Sequence, residues 1–368
     1  MKFSPVIKTA AIGSLAALAL TACAANEGGD STGGDNTDQA GSFSGELSGG
    51  GASSQGSAQE AWVAGFQTAN PDVTVNYDPA GSGTGRESFQ EGAFAFAGSD
   101  RAFKLEELEE GPFAACAADS GVIEFPAYIS PIAVVFNLEG IDSLNLDAAT
   151  LAGIFSGEIA KWNDPAIASQ NEGVDLPDSD IKPVHRSDKS GTTENFTDYL
   201  AAAAADKWTV GAIEEWPSEF GGEGAQQTSG MVSAVQNGVG TIGYVDASRA
   251  EGLGTVQVKV GEEYVPYSPE AAAKIVDASP VEDGRESYDL AITLDRNTSE
   301  SGVYPIVLVS YLIGCEAYAD AANAELVKGY FSYVVSEEGQ QAAAESAGSA
   351  PLSQELRDKV STIIDAIQ

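Results

Sequence analysis

Beyond residue 45 the chain interleaves short runs rich in β-branched and aromatic residues with longer alanine-rich runs of helical period, and few architectures accept that alternation. Strands are expected at 73–77, 128–136, 181–185, 240–245 and 256–260. A further apolar strand runs from Phe94 and ends in Gly98-Ser99-Asp100. Helices are expected at 59–67, 148–154, 193–205, 229–237, 319–336 and 354–367. Strands and helices mixed in this way mean an α/β fold. At 368 residues the chain has room for about two to three domains. Hydrophobic residues make up 43%, enough to build their cores, so global disorder is excluded.

Charge removes whole classes of function. Against 55 Asp+Glu stand 18 Lys+Arg, a formal net charge of −37. A nucleic-acid binder needs clustered cations to displace counterions from phosphates, and docking on anionic lipid needs them too. Neither fits. The chain has one histidine, His185, and three cysteines, without CxxC or HExxH spacing. No metal site, redox motif or cofactor is expected.

The N-terminus carries a second signal. Lys2 and Lys8 flank the start of an apolar stretch, 10–20, too short to reside across a bilayer. It ends in Leu20-Thr21-Ala22-Cys23, which resembles the lipobox of bacterial lipoproteins, cut before the cysteine. Residues 1–22 then read as a signal peptide, and Cys23 as the lipidated first residue. A buried apolar helix with an incidental cysteine is the alternative. Removing Lys2 and Lys8 takes the charge from −37 to −39. The anchor is expected to hold the chain on the outer face of the cytoplasmic membrane through acyl chains alone. Residues 23–44, rich in Gly, Ser, Asp and Asn, read as a flexible tether. An oxidising compartment permits Cys116 and Cys315 to pair; two separate buried thiols remain the alternative.

Three segments join small residues to hydroxyls where a helix should begin. They are Gly49-Gly50-Gly51-Ala52-Ser53-Ser54, Gly81-Ser82-Gly83-Thr84-Gly85 and Arg186-Ser187-Asp188-Lys189-Ser190-Gly191-Thr192-Thr193. A helix start offers free N–H groups and the positive end of the dipole; Ser and Thr add O–H donors, and Arg a planar fork matched to an oxyanion. Ordinary caps and turns use the same residues. No GxxxxGK[ST] or GxSxG is present, and a Ser-His-Asp triad would have to use His185, which points away from its neighbour Arg186 on a strand. His185 reads as structural. Asp100, at the C-terminal edge of its strand, sits where open α/β sheets bind ligands, unless it only caps the next helix.

Together these segments resemble the phosphate-binding lipoproteins (PstS family), substrate-binding subunits of the high-affinity phosphate ABC importer. The resemblance adds Tyr77, Lys161-Trp162-Asn163-Asp164, Gly240-Thr241-Ile242-Gly243-Tyr244-Val245 and Tyr304-Pro305-Ile306, and covers nearly the whole body. It implies a two-lobed periplasmic-binding-protein fold of type II-like, flytrap form, with mixed sheets flanked by helices and a hinge of two crossovers. Lobe one would hold 45–130 plus 293–368, and lobe two 131–292. Cys116 and Cys315 then share lobe one, consistent with a disulfide. Carried over by position, Ser53, Ser54, Ser82, Ser190, Gly191 and Thr192 donate to phosphate and Arg186 supplies the guanidinium. Asp188 steadies Arg186, and Asp100 faces the ligand. The family commonly has Gly-Ala-Thr-Phe where this chain has Gly51-Ala52-Ser53-Ser54, which keeps the hydroxyl and loses an aromatic.

An ionised Asp100 can only accept, so the ligand must bring a proton; phosphate does at neutral pH and sulfate does not. Surface carboxylates are screened beyond ~8 Å, so local donors decide affinity. The resemblance implies inorganic phosphate and importer permease subunits as partners, a monomer, and no enzymatic activity. Arsenate, protonated like phosphate, is a competing ligand. A sensing or adhesion role is a competing use, and a secreted phosphoester hydrolase lacks the metal ligands or activated nucleophile it would need.

Overall fold

The computed structural model describes residues 43–368. Strand β1 (Gly45–Gly51) pairs in parallel with β2 (Val73–Asp78) on one side and β3 (Phe96–Ser99) on the other. Parallel neighbours need crossovers, here α1 (Gly56–Ala69) and α2 (Ser82–Gln90). The buried face of α1 carries Ala58, Trp62 and Phe66, and Trp62 Nε1 donates to Gly339 O at 2.8 Å. A short α3 (Leu105–Glu110) precedes β4 (Val122–Phe136), whose 15 residues are all buried. Such a strand, covered on both faces, has no reason to alternate polar and apolar residues.

The middle of the chain supplies β5 (Ser143–Leu146), α4 (Ala148–Phe155), α5 (Pro165–Ala168), β6 (Lys182–Arg186) and α6 (Gly191–Ala203). It continues with β7 (Glu223–Ala225), α7 (Gln227–Asn237), β8 (Thr241–Asp246), β9 (Gly254–Val260), β10 (Glu263–Val265) and α8 (Pro269–Asp277). The last part is β11 (Val307–Cys315), α9 (Ala321–Val335), α10 (Glu337–Ala347) and α11 (Gln354–Asp365).

The strand order is β2-β1-β3-β11-β4-β8-β6-β7, with β9 also on β4 and carrying β5 and β10. β4 changes partner along its length. Residues 122–131 run antiparallel to β11, whereas 132–136 run antiparallel to β8. One strand therefore belongs to two sheets, the first with β1–β3 and the second with β5–β10. This is the expected α/β, two-lobed architecture, with mixed parallel and antiparallel pairing.

The β4–β11 ladder slips between Ser310 and Tyr311: Tyr311 faces Pro126, Ser310 faces Tyr128, and Ala127 is extra. Pro126 has no N–H to give a ladder, and a bulge is where a strand tolerates that. The Ala127 carbonyl accepts Gln340 Nε2 at 3.0 Å. Around the first sheet pack Phe96, Phe125 and Phe331, edge to face. Around the second pack Phe136 with Trp162, and Phe155 with Phe196 and Tyr244.

Cys116 and Cys315 are disulfide-bonded, with Cα atoms 5.3 Å apart, and join the loop before β4 to the end of β11. The expected signal peptide, Cys23 and the tether as far as residue 42 lie outside the described residues. Phe43 packs on Phe66 with ring centroids 5.9 Å apart, so tertiary contact starts ahead of residue 45. The expected helix at 319–336 is α9 alone; Ser336 ends it and caps α10, accepting Gly339 N at 3.0 Å. Among the described residues no helix is long and apolar enough to cross a membrane.

Candidate functional site

Four helix starts meet at one place. α2 begins at Ser82, α6 at Gly191, α7 at Gln227, and the turn Ser53–Gln55 leads into α1. Ser53 Oγ accepts Thr228 N at 3.1 Å and lies 3.0 Å from Thr228 Oγ1. Gly83 N donates to Lys189 O at 3.3 Å, and Gln227 N to Asp188 Oδ1 at 3.0 Å. Each start brings free N–H groups and a positive dipole end, so their meeting suits an anion. Gly81 permits the turn into α2: its φ is +110°, and a Cβ there would lie 2.6 Å from Asp188 Oδ2.

Asp100 follows β3 directly and is 2% exposed. Its Oδ1 accepts Ser54 Oγ at 2.5 Å and Ser310 Oγ at 2.7 Å, and its Oδ2 accepts Thr192 Oγ1 at 2.7 Å. Its N–H donates to Ser82 Oγ at 3.1 Å, and its carbonyl accepts Asn195 Nδ2 at 2.6 Å. A Cβ on Gly191 would stand 2.8 Å from Asp100 Cβ and 2.9 Å from Ser82 Oγ. The end of β3 and the starts of α2 and α6 approach this closely only because residue 191 has no side chain.

Arg186 ends β6 and is 3% exposed. Its Nε donates to Asp188 Oδ1 at 2.8 Å and its Nη2 to Asp188 Oδ2. Ser190 caps α6 in the ordinary way, its Oγ accepting Thr193 N at 3.2 Å, while its own N–H donates to Glu214 O at 3.2 Å. His185 turns to the other face of β6. Its Nδ1 donates to Arg186 O at 2.9 Å, its ring stacks on Trp216 at 5.0 Å, and burial lowers its pKa.

Beside these groups lies a cluster of ion pairs. Arg86 Nη1 donates to Ser99 Oγ at 2.7 Å and its Nη2 reaches Glu214 Oε1 at 2.7 Å. Arg101 pairs with Glu194 at 2.8 Å, Glu214 at 3.0 Å and Glu107 at 2.6 Å. Burial raises the Glu214 carboxyl, but Arg86 and Arg101 more than offset it and hold the group below its ordinary value. At Glu194 burial wins and the shift is upward, despite Arg101.

Residues 31–338 match the model of the PBP superfamily domain. Over 366 residues the chain is 32% identical to the phosphate-binding protein PstS2 of Mycobacterium bovis, covering 97% of this chain and 98% of that one. It is 33% identical over 370 residues to phosphate-binding protein PstS 3 of Mycobacterium tuberculosis, with the same coverage. The chain belongs to the PstS family.

A solved member of the same fold, a periplasmic phosphate-binding protein (PfluDING) bound with phosphate, superposes with a TM-score of 0.66 at 21% identity, over 86% of this chain and 93% of that one. On this family fold Ser54, Ser82, Asp100, Gly191 and Thr192 form one hydrogen-bonded or contacting group. The Arg186–Asp188 pair adjoins it through Gly81, whereas the side chains of Ser53 and Ser190 are engaged with Thr228 and Thr193. Sequence reasoning passed over Ser310, Gln55, Asn195, Thr228 and Arg86. Ser310 had left one trace, a single hydroxyl inside the apolar run Val307-Leu308-Val309-Ser310-Tyr311-Leu312-Ile313. A polar group so placed needs a buried partner.

Proposed function

We propose that this protein binds inorganic phosphate outside the cytoplasm and hands it to the permease subunits of an ABC importer. The observation that carries this reading is the meeting of four helix starts and one guanidinium around a buried carboxylate. Donors and a cation suit a tetrahedral oxyanion, and the lone acceptor asks that the oxyanion carry a proton. The relatives' names as phosphate-binding proteins support the same choice.

Arg186 gives the charged fork, steadied by Asp188. Ser82, Gly191, Thr192, Ser54 and the backbone beside Ser53 and Ser190 complete the donor set. Ser54 and Thr192, now turned to Asp100, each have one O–H that can redirect its hydrogen bond to the ligand, which frees acceptor capacity on Asp100 for the ligand's own hydrogen. Ser54 stands where the family commonly has an aromatic, and its hydroxyl joins the Asp100 group instead. No bond is broken in this cycle, and the protein acts as a binding monomer.

The first hinge crossing is proposed at Pro131, and the change of partner of β4 from β11 to β8 supports it. The return, expected near residue 293, is proposed instead between α8 and Glu282. Arg285 Nη1 donates to Phe103 O at 2.7 Å, and Leu290 N to Glu124 O at 2.8 Å, which ties 282–291 to lobe one. Lipid on Cys23 tethers the whole to the membrane surface.

Titration calorimetry of phosphate, sulfate and arsenate against the chain and its Asp100→Asn variant tests the reading. Phosphate and arsenate are expected to bind and sulfate not. In the variant sulfate affinity is expected to rise about tenfold or more, the worth of one charged hydrogen bond. A wild-type protein indifferent to phosphate overturns the assignment.

A further inference from the structure

Of the three hydroxyls on Asp100, two can turn to a ligand and one cannot. Ser310 Oγ, fully buried on β11 opposite the β4 bulge, accepts from Gln55 Nε2 at 2.7 Å. That same Nε2 donates to Tyr311 O at 3.0 Å. A carbonyl only accepts, so the atom of Gln55 facing both is its NH2 group and not its oxygen. Gln55 Oε1 in turn accepts Gln59 Nε2 at 2.8 Å, and Gln59 Oε1 accepts the Tyr330 hydroxyl at 2.7 Å. Tyr330, Gln59, Gln55 and Ser310 are all at most 2% exposed. Every link has its direction fixed by the one before. With an amide proton directed at its oxygen, Ser310 must send its own proton to Asp100 Oδ1.

We propose that Ser310 is a positioning residue, oriented by the Tyr330–Gln59–Gln55 chain, that keeps Asp100 a hydrogen-bond acceptor and thereby sets the preference for a protonated oxyanion. The inference rests on the phosphate reading and adds the residues that enforce its selectivity. With the Ser310 hydrogen fixed on Oδ1, that oxygen presents only lone pairs and has no proton to offer an unprotonated oxyanion. Ser54 and Thr192 do not serve this purpose, because each can swing to the ligand. The bulge matters here. The register slips opposite Ser310 and Tyr311, whose hydroxyl and carbonyl accept from the same amide.

Calorimetry with phosphate and with sulfate on the full chain, at one pH and beside a thermal melt, decides the matter. Ser310→Ala is expected to lower the phosphate-over-sulfate affinity ratio about tenfold, or about 1.4 kcal/mol. Gln55→Leu, which frees Ser310 to rotate, lowers it in the same direction, and Ser310→Thr, which keeps the hydroxyl, restores it. A ratio that stays at the wild-type value in Ser310→Ala, whether both affinities hold or both fall together, overturns the proposal. Should that variant fail to fold, Gln55→Leu decides by the same criterion. Failure of the wild-type chain to bind phosphate overturns the functional reading, and this inference with it; retained binding with an unmoved ratio removes the inference alone.

Discussion

A guanidinium on a strand end has many rotamers, and two residues further along Asp188 removes most of them. Its oxygens take Nε and Nη2 of Arg186, and Gln227 N holds the carboxylate from the start of α7. Among the described residues no hydrogen bond is formed by Arg186 Nη1, so in the proposed site its N–H groups and the second one of Nη2 would be open to a ligand. Orientation, beyond charge, is what the pair supplies. Arg186→Lys keeps the charge and loses the fork, and Asp188→Asn keeps the shape and loosens the fork. Both are expected to weaken phosphate binding by about tenfold to a hundredfold, the range of one charge-assisted hydrogen bond. Calorimetry reads this directly, and a lysine variant equal to wild type would show that charge alone suffices.

Where β4 passes from β11 to β8, its partner strand ends in Asp246, a fully buried carboxylate that accepts from Ser248 N at 3.0 Å and from the Tyr128 hydroxyl at 3.1 Å. Burial pushes it up to about 6 from an ordinary 3.8. The folded chain then holds this proton more tightly than the unfolded one, so the contribution is favourable below the ordinary value and is lost as pH rises towards 6, by about 3 kcal/mol in total. Asp246→Asn lacks that titration. Its stability relative to wild type is expected to rise between pH 4 and pH 7, read by denaturant unfolding at each pH; a constant difference would remove Asp246 as the cause. At this scale the sequence was legible where pattern is local. The strand expected at 73–77 is β2, that at 240–245 is β8, and the helix expected at 354–367 is α11. β11 and the first half of β4 went unassigned because both are buried on two faces and show no alternation, and Pro126 argues against a central strand until its bulge is seen. α10 was missed because Gly339 and a run of small and polar residues hide its buried face. The site divides the same way. Hydroxyls at helix starts announce themselves within a few residues, whereas Gln55 and Ser310 meet across 255 positions that carry no local mark.

Two opposed electrostatic effects act on the molecule as a whole. The chain's net charge of −37, most of it carried by the two lobes, favours their separation, though salt screens it beyond ~8 Å. Across the cleft the opposite holds at short range. On the proposed lobe boundaries Arg86 and Arg101 of lobe one meet Glu194 and Glu214, on α6 and the loop after it, of lobe two, with Arg86 4% and Glu214 14% exposed. Pairs so shielded are screened much less than surface ones, and opening the lobes would break the three close pairs Arg86–Glu214, Arg101–Glu194 and Arg101–Glu214, a loss only partly offset by the hydration the freed charges regain. On the proposed hinge these local pairs would favour closure alongside the ligand. On the proposed site, phosphate would gain its full donor shell only between closed lobes and bind with an apparent affinity set by the closed fraction. Glu214→Gln removes the charge that both arginines share. The variant is expected to bind phosphate about tenfold more weakly. Its radius of gyration by small-angle scattering should exceed that of the wild type without ligand and match it at saturating phosphate. Equal radii without ligand would mean that the arginine–glutamate cluster stabilises one lobe's surface and has no part in holding the cleft shut.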